Sequence, residues 1–214
     1  PSLYADVAHF VRSCTTCSAA KSSSNARLGV ESFSTTPLQP FTHWAMDLIG
    51  PLPKSKTGNE WIVTWVDRTS KTIVAEAART GRTSGKDLAE LTFKHICCRF
   101  GLPHALTHDN DVRFKHLWRS LWEMLGTKIK CTSAFNPQSD PAERANRQIL
   151  EALRAAVATV GQYDEWDQAL PHICFGLNTH PSSVTNTSPF EHIHGFAART
   201  PLTWGLPTGD WPPA

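Results

Sequence analysis

The sequence HWAMDLIGPLPKSKTGNEWIVTWVDRTSKTIVAEAAR, residues 43–79, contains three runs of apolar, β-branched and aromatic residues separated by short polar segments. Such runs are typical of β-strands. The separators are rich in Lys, Gly and hydroxyl residues and are short enough to join neighbouring antiparallel strands. This stretch therefore predicts an antiparallel meander of three strands.

Beyond the meander, helical and strand-like segments alternate. The run SGKDLAELTFKHICCRFG has an apolar period of 3.6 residues, with Ser84 predicted as the N-cap and Gly101 as the end of a helix. The following segments are predicted as strand, helix, strand and long helix, then two further helices: HALTHD, FKHLWRSLWEML, KIKCTS, PAERANRQILEALRAAVATV, YDEWDQALPHICFGLNTH and SPFEHIHG. This order predicts an α/β fold in which helices cover a mixed sheet.

Length and composition fit a globular domain with attachments. The 214 residues are 40% hydrophobic and 19% charged, no apolar run reaches the length of a membrane span, and no signal peptide is visible. The first residue is Pro1 rather than Met, which suggests a processed product or a fragment. Six cysteines are interpreted as reduced, buried thiols of an intracellular protein: Cys14, Cys17, Cys97, Cys98, Cys131 and Cys174.

The formal net charge of +2 is unevenly distributed along the chain. Residues 1–160 hold 20 Lys and Arg against 14 Asp and Glu, a net charge of +6. Residues 161–214 hold 1 against 5, a net charge of −4. A basic region of this kind suits a polyanionic partner such as nucleic acid.

Three acidic residues stand apart from the solvated faces of the predicted elements. Asp47 lies between Ala45 and Ile49 by strand alternation, so it falls on an apolar strand face. Asp109 ends the fourth predicted strand, and Glu143 begins the long helix. If the first and fourth strands are neighbours, the three carboxylates converge, and such a cluster calls for a hard cation, Mg²⁺ or Mn²⁺. Two alternatives stay open: a buried Asp47 satisfied by hydrogen bonds, and a Glu143 that only stabilises a helix N-terminus.

Three blocks around these acids carry a family resemblance. HWAMDLIGPLP, THDNDVRF and NPQSDPAERANRQ resemble the catalytic blocks of retroviral and long-terminal-repeat retrotransposon integrases, and the Ty3/gypsy-type branch is the closer likeness. The likeness continues through WVDRTSK and LPHICFGLNTHPSSVTNTSPFEHIHG, so it covers nearly the whole chain. It implies a ribonuclease-H-like fold, a mixed five-stranded sheet flanked by helices, with Asp47, Asp109 and Glu143 as the catalytic triad.

The resemblance also implies a reaction, the metal-dependent 3′-end processing of retroelement DNA and its transfer into target DNA. Two Mg²⁺ or Mn²⁺ ions about 3.5–4 Å apart serve the attacking and leaving oxygens of an in-line displacement. On this hypothesis Asp47 bridges both ions, Asp109 holds one and Glu143 holds the other. Water is the nucleophile when an end is trimmed, and the new 3′-hydroxyl is the nucleophile when ends are joined.

Several other acids have structural interpretations. The resemblance implies that Asp67 bonds the turn after the second strand, and Asp111 and Asp140 are predicted loop caps. The chain departs from the family pattern at Asp111 and Pro141, where glycine is usual. A proline before the glutamate predicts a stiffer loop at that point.

Residues that contact DNA are predicted on the long helix and in the loop before it. Arg147 lies about one turn beyond the helical acid and Arg154 about three turns beyond it, on the same broad face. Asn136 and Gln138 offer hydrogen bonds to DNA from the loop. We expect Arg147 to contact phosphate, and the alternative is an ordinary solvated face on which Arg147 pairs with Glu151.

Cys14 and Cys17 have the spacing of a zinc knuckle, but a structural zinc site needs four ligands. In the family that the chain resembles, a pair of histidines would lie before Pro1. His9 is the nearby histidine and is predicted on a helix surface. The chain is therefore expected to carry a partial zinc site that holds Zn²⁺ only in a longer chain.

The resemblance divides the chain into four segments: a zinc-domain remnant (1–22), a linker (23–40), a catalytic core (41–200) and a C-terminal linker or tail (201–214). It implies DNA as partner, both retroelement ends and target, no membrane, and a Pol-polyprotein product that acts in the nucleus. A homo-oligomer is expected, with Trp118, Trp122 and Trp166 as exposed surface for self-association.

Two other classes of function share parts of this pattern. A ribonuclease H or a cut-and-paste transposase would have the same fold and acids, although the NPQS block and the cysteine pair argue against both. A domesticated or decayed relic would bind DNA or protein without catalysis. An assay for metal-dependent strand transfer distinguishes an active integrase from a relic. An assay that compares viral-type DNA ends with an RNA–DNA hybrid as substrate distinguishes an integrase from a ribonuclease H or a transposase.

Overall fold

The computed structural model describes eight parts of the chain: residues 3–16, 39–81, 83–108, 125, 128–131, 141–161, 163–182 and 185–201. The helix predicted in FKHLWRSLWEML lies outside these residues except for Leu125.

A mixed sheet with strand order β3-β2-β1-β4-β5 forms the centre of the fold. Its first part is the predicted antiparallel meander of β1 (His43–Ile49), β2 (Asn59–Asp67) and β3 (Ile73–Arg79). β4 (Ala105–His108) pairs parallel with β1, and β5 (Lys128–Cys131) pairs parallel with β4. The first and fourth strands are therefore neighbours, which is the condition for the carboxylates to converge.

Helices precede the sheet, connect its strands and follow it. They are α1 (Leu3–Ser13), α2 (Gly85–Thr92), α3 (Pro141–Val160), α4 (Trp166–Thr179) and α5 (Pro189–His194). A π-helical turn (Phe93–Cys97) and a last α-helical turn (Cys98–Phe100) extend α2. None of the helices described has both the length and the apolar character needed to cross a bilayer.

The predicted signals at both ends of the α2 segment are confirmed. The Ser84 hydroxyl accepts a hydrogen bond from the Asp87 backbone N–H, and the Asp87 carboxylate accepts one from the Ser84 backbone N–H. This reciprocal capping box satisfies N–H groups that have no partner within the helix. Gly101, with φ of +88°, follows the last turn in a conformation that costs glycine little.

Each face of the sheet buries its own apolar cluster, because side chains alternate along a strand. The first cluster packs β1 and β2 against α2 and its π-helical turn and includes Trp44, Met46, Val63, Trp65, Leu88 and Ile96. The second packs the other face against α3 and α4 and includes Ala45, Ile49, Ile62, Val66, Ile149, Leu153 and Trp166. Asp47 thus lies on the face that α3 covers, and its predicted place on an apolar strand face is confirmed.

The loop between β1 and β2 is fixed to the first turn of α4. The Asp167 carboxylate accepts hydrogen bonds from Ser55 Oγ at 2.7 Å, from Asn59 Nδ2 at 2.8 Å and from the Thr57 hydroxyl. Beside it, Lys56 Nζ lies 2.6 Å from Glu165 Oε1. These polar contacts join elements that are more than 100 residues apart in sequence.

Two expectations about burial are wrong. Trp166 was expected to be exposed, but it is 3% exposed because it packs into the cluster under α3 and its indole N–H donates to the Pro53 carbonyl at 2.7 Å. Cys98 was expected to be buried, but it is exposed, whereas the neighbouring Cys97 is buried. Free thiols are found at all four cysteines whose side chains are described, Cys14, Cys97, Cys98 and Cys174.

Candidate active site

Asp47 lies on the central strand β1 and is held by two N–H donors. Its Oδ1 accepts from the Leu48 backbone N–H at 2.8 Å, and its Oδ2 accepts from Asn146 Nδ2 at 2.6 Å. The first bond is local to the strand, and the second reaches across from α3. Asp47 is half-buried, so its carboxylate remains within reach of solvent and ligands.

Glu143 lies in the first turn of α3, a position at which the helix dipole favours an acid. Asn146 follows it by three residues, and side chains with this spacing are neighbours on a helix, with Cβ atoms about 5–6 Å apart. Asn146 contacts the Asp47 carboxylate. Glu143 therefore lies about one helical turn from a residue that contacts Asp47. The structure therefore places Asp47 and Glu143 on one side of the sheet, at the start of α3.

Glu143 and Arg147 form an ion pair on the exposed surface of α3. Arg147 Nη2 lies 3.4 Å from Glu143 Oε1, and the two side chains are 52% and 55% exposed, respectively. An exposed pair of this kind contributes little to stability. The pair joins Glu143, a predicted metal ligand, to Arg147, a predicted DNA contact. Arg154 is also exposed and lies two turns further along the helix.

Pro141 is the first residue of α3. Proline is favoured there because its missing N–H would have no partner within the helix and its fixed φ suits the first turn. The departure from the family's glycine therefore coincides with the start of a helix.

Asp109, Asn136 and Gln138 lie outside the described residues. Asp109 directly follows His108, whose partner in the parallel ladder is Met46, the residue before Asp47. The described part of the chain thus contains two of the three predicted carboxylates. Within it, no cluster of three or more His, Cys, Asp or Glu side chains has the geometry of a metal site.

The two carboxylates suit a hard divalent cation, because Mg²⁺ and Mn²⁺ prefer oxygen ligands. Asp47 is oriented by hydrogen bonds that a metal-binding carboxylate commonly receives from neighbouring groups. The residues present are therefore compatible with the expected ions.

Positive charge lies beside the start of α3. Lys71, in the turn between β2 and β3, donates from Nζ to the Arg68 carbonyl at 2.6 Å. Partial desolvation, followed by repulsion from the guanidinium groups of Arg68 and Arg144, lowers the pKa of Lys71. Lys71 and Arg68 therefore lie close enough to Arg144, near the start of α3, for their charges to interact.

Asp67 is structural, as expected. It is fully buried, and its carboxylate accepts from the Phe41 N–H at 3.0 Å and from both the N–H and the hydroxyl of Ser70 at 2.7 Å. These bonds close the turn after β2 and fix the chain entering β1. Hydrogen-bond donors surround the Asp67 carboxylate, so its function is to stabilise the turn.

The partial zinc site is only partly described. Cys14 follows α1 and is half-buried, and Cys17 lies outside the described residues. His9 is exposed on α1, as expected. The zinc expectation therefore stays a prediction.

Two polar residues at the site were not singled out from the sequence, namely Asn146 and Thr64. Asn146 donates to Asp47, and its Oδ1 accepts from Thr64 Oγ1 at 2.8 Å. The sequence carries the same signal for Thr64 as for Asp47: Thr64 is a polar residue between Ile62 and Val66 on an otherwise apolar strand face.

Known proteins resemble the chain in sequence and in structure. No protein-family model matches it. It is 29% identical over 168 residues to the retrovirus-related Pol polyprotein from transposon 412 of Drosophila melanogaster, which covers 78% of this chain and 13% of the polyprotein. It is 24% identical over 204 residues to the Pro-Pol polyprotein of simian foamy virus type 3 (strain LK3), which covers 94% of this chain and 17% of that protein.

The fold is also similar to that of a solved structure. The catalytic core domain of HTLV-2 integrase, in complex with magnesium and in a trimeric form, superposes with a TM-score of 0.58 at 16% identity, over 72% of this chain and 97% of that one. The chain is thus similar in sequence to Pol polyproteins of a transposon and of a foamy virus, and in fold to a retroviral integrase catalytic core. The predicted fold class, a ribonuclease-H-like mixed sheet flanked by helices, is confirmed. The chain spans less than a fifth of the length of either polyprotein.

Proposed function

We propose that the chain contains the catalytic core of a retroelement integrase, a divalent-metal-dependent polynucleotidyl transferase, within residues 41–200. The observation that carries this proposal is the hydrogen bond from Asn146 to Asp47, which brings the start of α3, and with it Glu143, beside the β1 carboxylate. The similarity to Pol polyproteins supports the same assignment.

In this proposal Asp47, Asp109 and Glu143 hold two Mg²⁺ or Mn²⁺ ions. When bound, the ions lower the pKa of the attacking hydroxyl group or water and stabilise the charge on the leaving oxygen. The protein side chains orient this arrangement: the Leu48 N–H and Asn146 fix the two oxygens of Asp47. Arg147 contacts a phosphate of the bound DNA beside Glu143.

One site serves both steps of the reaction. In 3′-end processing, water attacks the phosphorus of a phosphodiester near the DNA end and the bond from phosphorus to the 3′ oxygen breaks. The retained strand then ends in a 3′-hydroxyl, and the released nucleotides carry the phosphate. In strand transfer, this 3′-hydroxyl attacks the phosphorus of a target phosphodiester, and the 3′ oxygen of the target strand is the leaving group. Asn136 and Gln138 are further proposed DNA contacts.

The proposal extends to assembly and place of action. We infer that several copies act together on retroelement ends and target DNA in the nucleus. The trimeric form of the HTLV-2 core is compatible with self-association. Zn²⁺ is proposed only for a longer chain that supplies two more ligands to Cys14 and Cys17.

Purified 214-residue protein, mixed with retroelement-type DNA ends, target DNA and Mg²⁺ or Mn²⁺, should trim and join the ends. Asp47→Asn and Glu143→Gln should each reduce both products by at least about a hundredfold, because each removes a ligand charge from the one site. Asp67→Asn is the matched control, an acid on the neighbouring strand that should leave measurable turnover in the folded protein.

Three results would contradict the proposal. Joining by Glu143→Gln at the parent rate would exclude Glu143 as a ligand. Cleavage of an RNA–DNA hybrid without joining of DNA ends would indicate a ribonuclease H. Absence of both activities, with DNA binding retained, would indicate a non-catalytic relic.

A further inference from the structure

Thr64 carries a hydroxyl group on the apolar face of β2 that packs against α3. The residue is completely buried, and Ile62 and Val66 flank it on the same face. Burying a hydroxyl without a partner is costly, so its hydrogen bonds decide what the residue does.

The Thr64 hydroxyl has one hydrogen and two acceptors within range. Asn146 Oδ1 lies 2.8 Å from Oγ1, and the Asp47 backbone carbonyl lies 3.2 Å from it. The carbonyl alone would satisfy the hydroxyl. The shorter distance is to Asn146, on a helix that begins 77 residues later in the sequence.

We propose that Thr64 is a positioning residue for the Asp47 carboxylate and that it acts through Asn146. This inference rests on the proposed function, in which Asp47 is a metal ligand. An ionised carboxylate only accepts hydrogen bonds, so Asn146 must turn its NH₂ group toward Asp47. The amide oxygen then points toward β2, and the Thr64 hydroxyl is the donor that holds it there.

The Asp47 carboxylate is therefore held from two directions before an ion binds. Oδ1 is held along β1 by the Leu48 N–H, and Oδ2 is held from α3 by Asn146, whose plane is set by β2. Groups that orient a metal ligand in this way increase metal affinity, because less conformational freedom is lost on binding. Without the hydroxyl, the amide oxygen loses its donor and the amide is free to rotate away from Asp47.

The test uses Thr64→Val, which keeps the β-branched shape and removes the hydroxyl, and Thr64→Ser, which keeps the hydroxyl. The matched control is Thr92→Val. Thr92 is equally buried, but its hydroxyl accepts from Trp65 Nε1 at 2.9 Å on the opposite face of the sheet. Each variant of the 214-residue chain is compared in thermal unfolding without metal, in the NMR signals of the Asn146 side-chain NH₂, and in Mn²⁺ titration without DNA.

We expect Thr64→Val to shift the Asn146 NH₂ signals and to weaken Mn²⁺ binding about tenfold. Thr64→Ser should stay within about twofold of the parent, and Thr92→Val should lower the unfolding temperature while leaving Mn²⁺ affinity unchanged. A structural role alone would move only the unfolding temperature.

Two results would overturn the inference: unchanged Asn146 signals in Thr64→Val, or shifted signals with parental Mn²⁺ affinity. A failure of the proposed function itself looks different. In that case the parent chain shows no Mn²⁺ binding that depends on Asp47, and the positioning role falls with it even though the Asn146 signals still respond to Thr64→Val.

Discussion

At the scale of single residues, acids of the same charge serve different purposes according to their partners. Asp67 is surrounded by donors from its own turn and is fully buried. Asp47 is half-buried and takes one of its bonds from a distant helix. Glu143 is exposed and forms an ion pair with Arg147. The degree of burial and the origin of the donors separate a turn-closing acid from the two proposed ligands, which charge alone cannot do.

Arg147 is the residue for which two functions compete, since it pairs with Glu143 and is proposed to contact DNA. We predict that Arg147→Ala weakens metal-free DNA binding and lowers the slope of log affinity against log salt concentration by about one, the value for one phosphate contact. Glu143→Gln should bind metal-free DNA at least as tightly as the parent, because a repelling charge is gone. Fluorescence anisotropy over a range of salt concentrations measures both effects.

Arg154→Ala is the matched control for Arg147, an exposed arginine on the same helix two turns away. The salt dependence of DNA binding by Arg154→Ala is compared directly with that of Arg147→Ala. A parental salt slope in Arg147→Ala would remove Arg147 from the DNA interface and leave the solvated-face interpretation.

At the scale of elements, local patterns predicted most of the secondary structure. Alternation and turn residues predicted the meander, and Ser84 and Gly101 marked the α2 segment because capping depends on neighbouring residues. Trp166 was misjudged because its environment is set by distant elements. Its indole N–H bonds a carbonyl 113 residues earlier, and no local pattern carries that information.

The contact between the β1–β2 loop and α4 leads to a prediction about pH. Burial raises the pKa of Asp167, but hydrogen bonds from Thr57, Ser55 and Asn59 outweigh it and leave the pKa below its usual value. A carboxylate whose pKa is depressed in the folded state stabilises the protein above its unfolded pKa, about 3.9, and this stabilisation is lost as the pH falls through the folded value.

Asp167→Asn should therefore reduce the free energy of unfolding at pH 7 by on the order of 2 kcal/mol, because donors lose a charged acceptor. The difference from the parent should shrink below about pH 4. Urea unfolding at several pH values measures it, with Asp164→Asn as control. Asp164 is an exposed neighbour 3.8 Å from Lys56, and its loss should cost little. A difference that stays constant with pH would show that the Asp167 charge is not the cause.

At the scale of the whole molecule, the sequence singled out candidate acids but did not reveal the hydrogen-bond network that holds Asp47. Asp47 and Glu143 stand out by position and by motif. Asn146 and Thr64 act through contacts that span 99 and 82 residues of sequence. A polar residue on an apolar strand face signals that a partner exists, but only the packing of α3 on the sheet shows which one.

The proposed site joins β1 to α3, so ion binding should stabilise the fold as a whole. An ion that binds only the folded state at ten times its Kd adds about 1.4 kcal/mol. For a domain of this size that raises the unfolding temperature by about 3–6 °C. We expect Mg²⁺ or Mn²⁺ to produce such a rise in the parent chain and EDTA to reverse it. Differential scanning calorimetry measures the change without requiring any catalytic activity.

Variants separate this effect from general screening of charge. Asp47→Asn and Glu143→Gln should lose most of the rise, because each removes a ligand. Asp6→Asn changes the net charge equally in α1, outside the sheet, and should keep the rise in full. If all three variants gain the same stabilisation as the parent, the ions act on the surface at large, and Asp47 and Glu143 hold no metal. If only the first two lose it, the metal site connects the central strand to the helix packed on it.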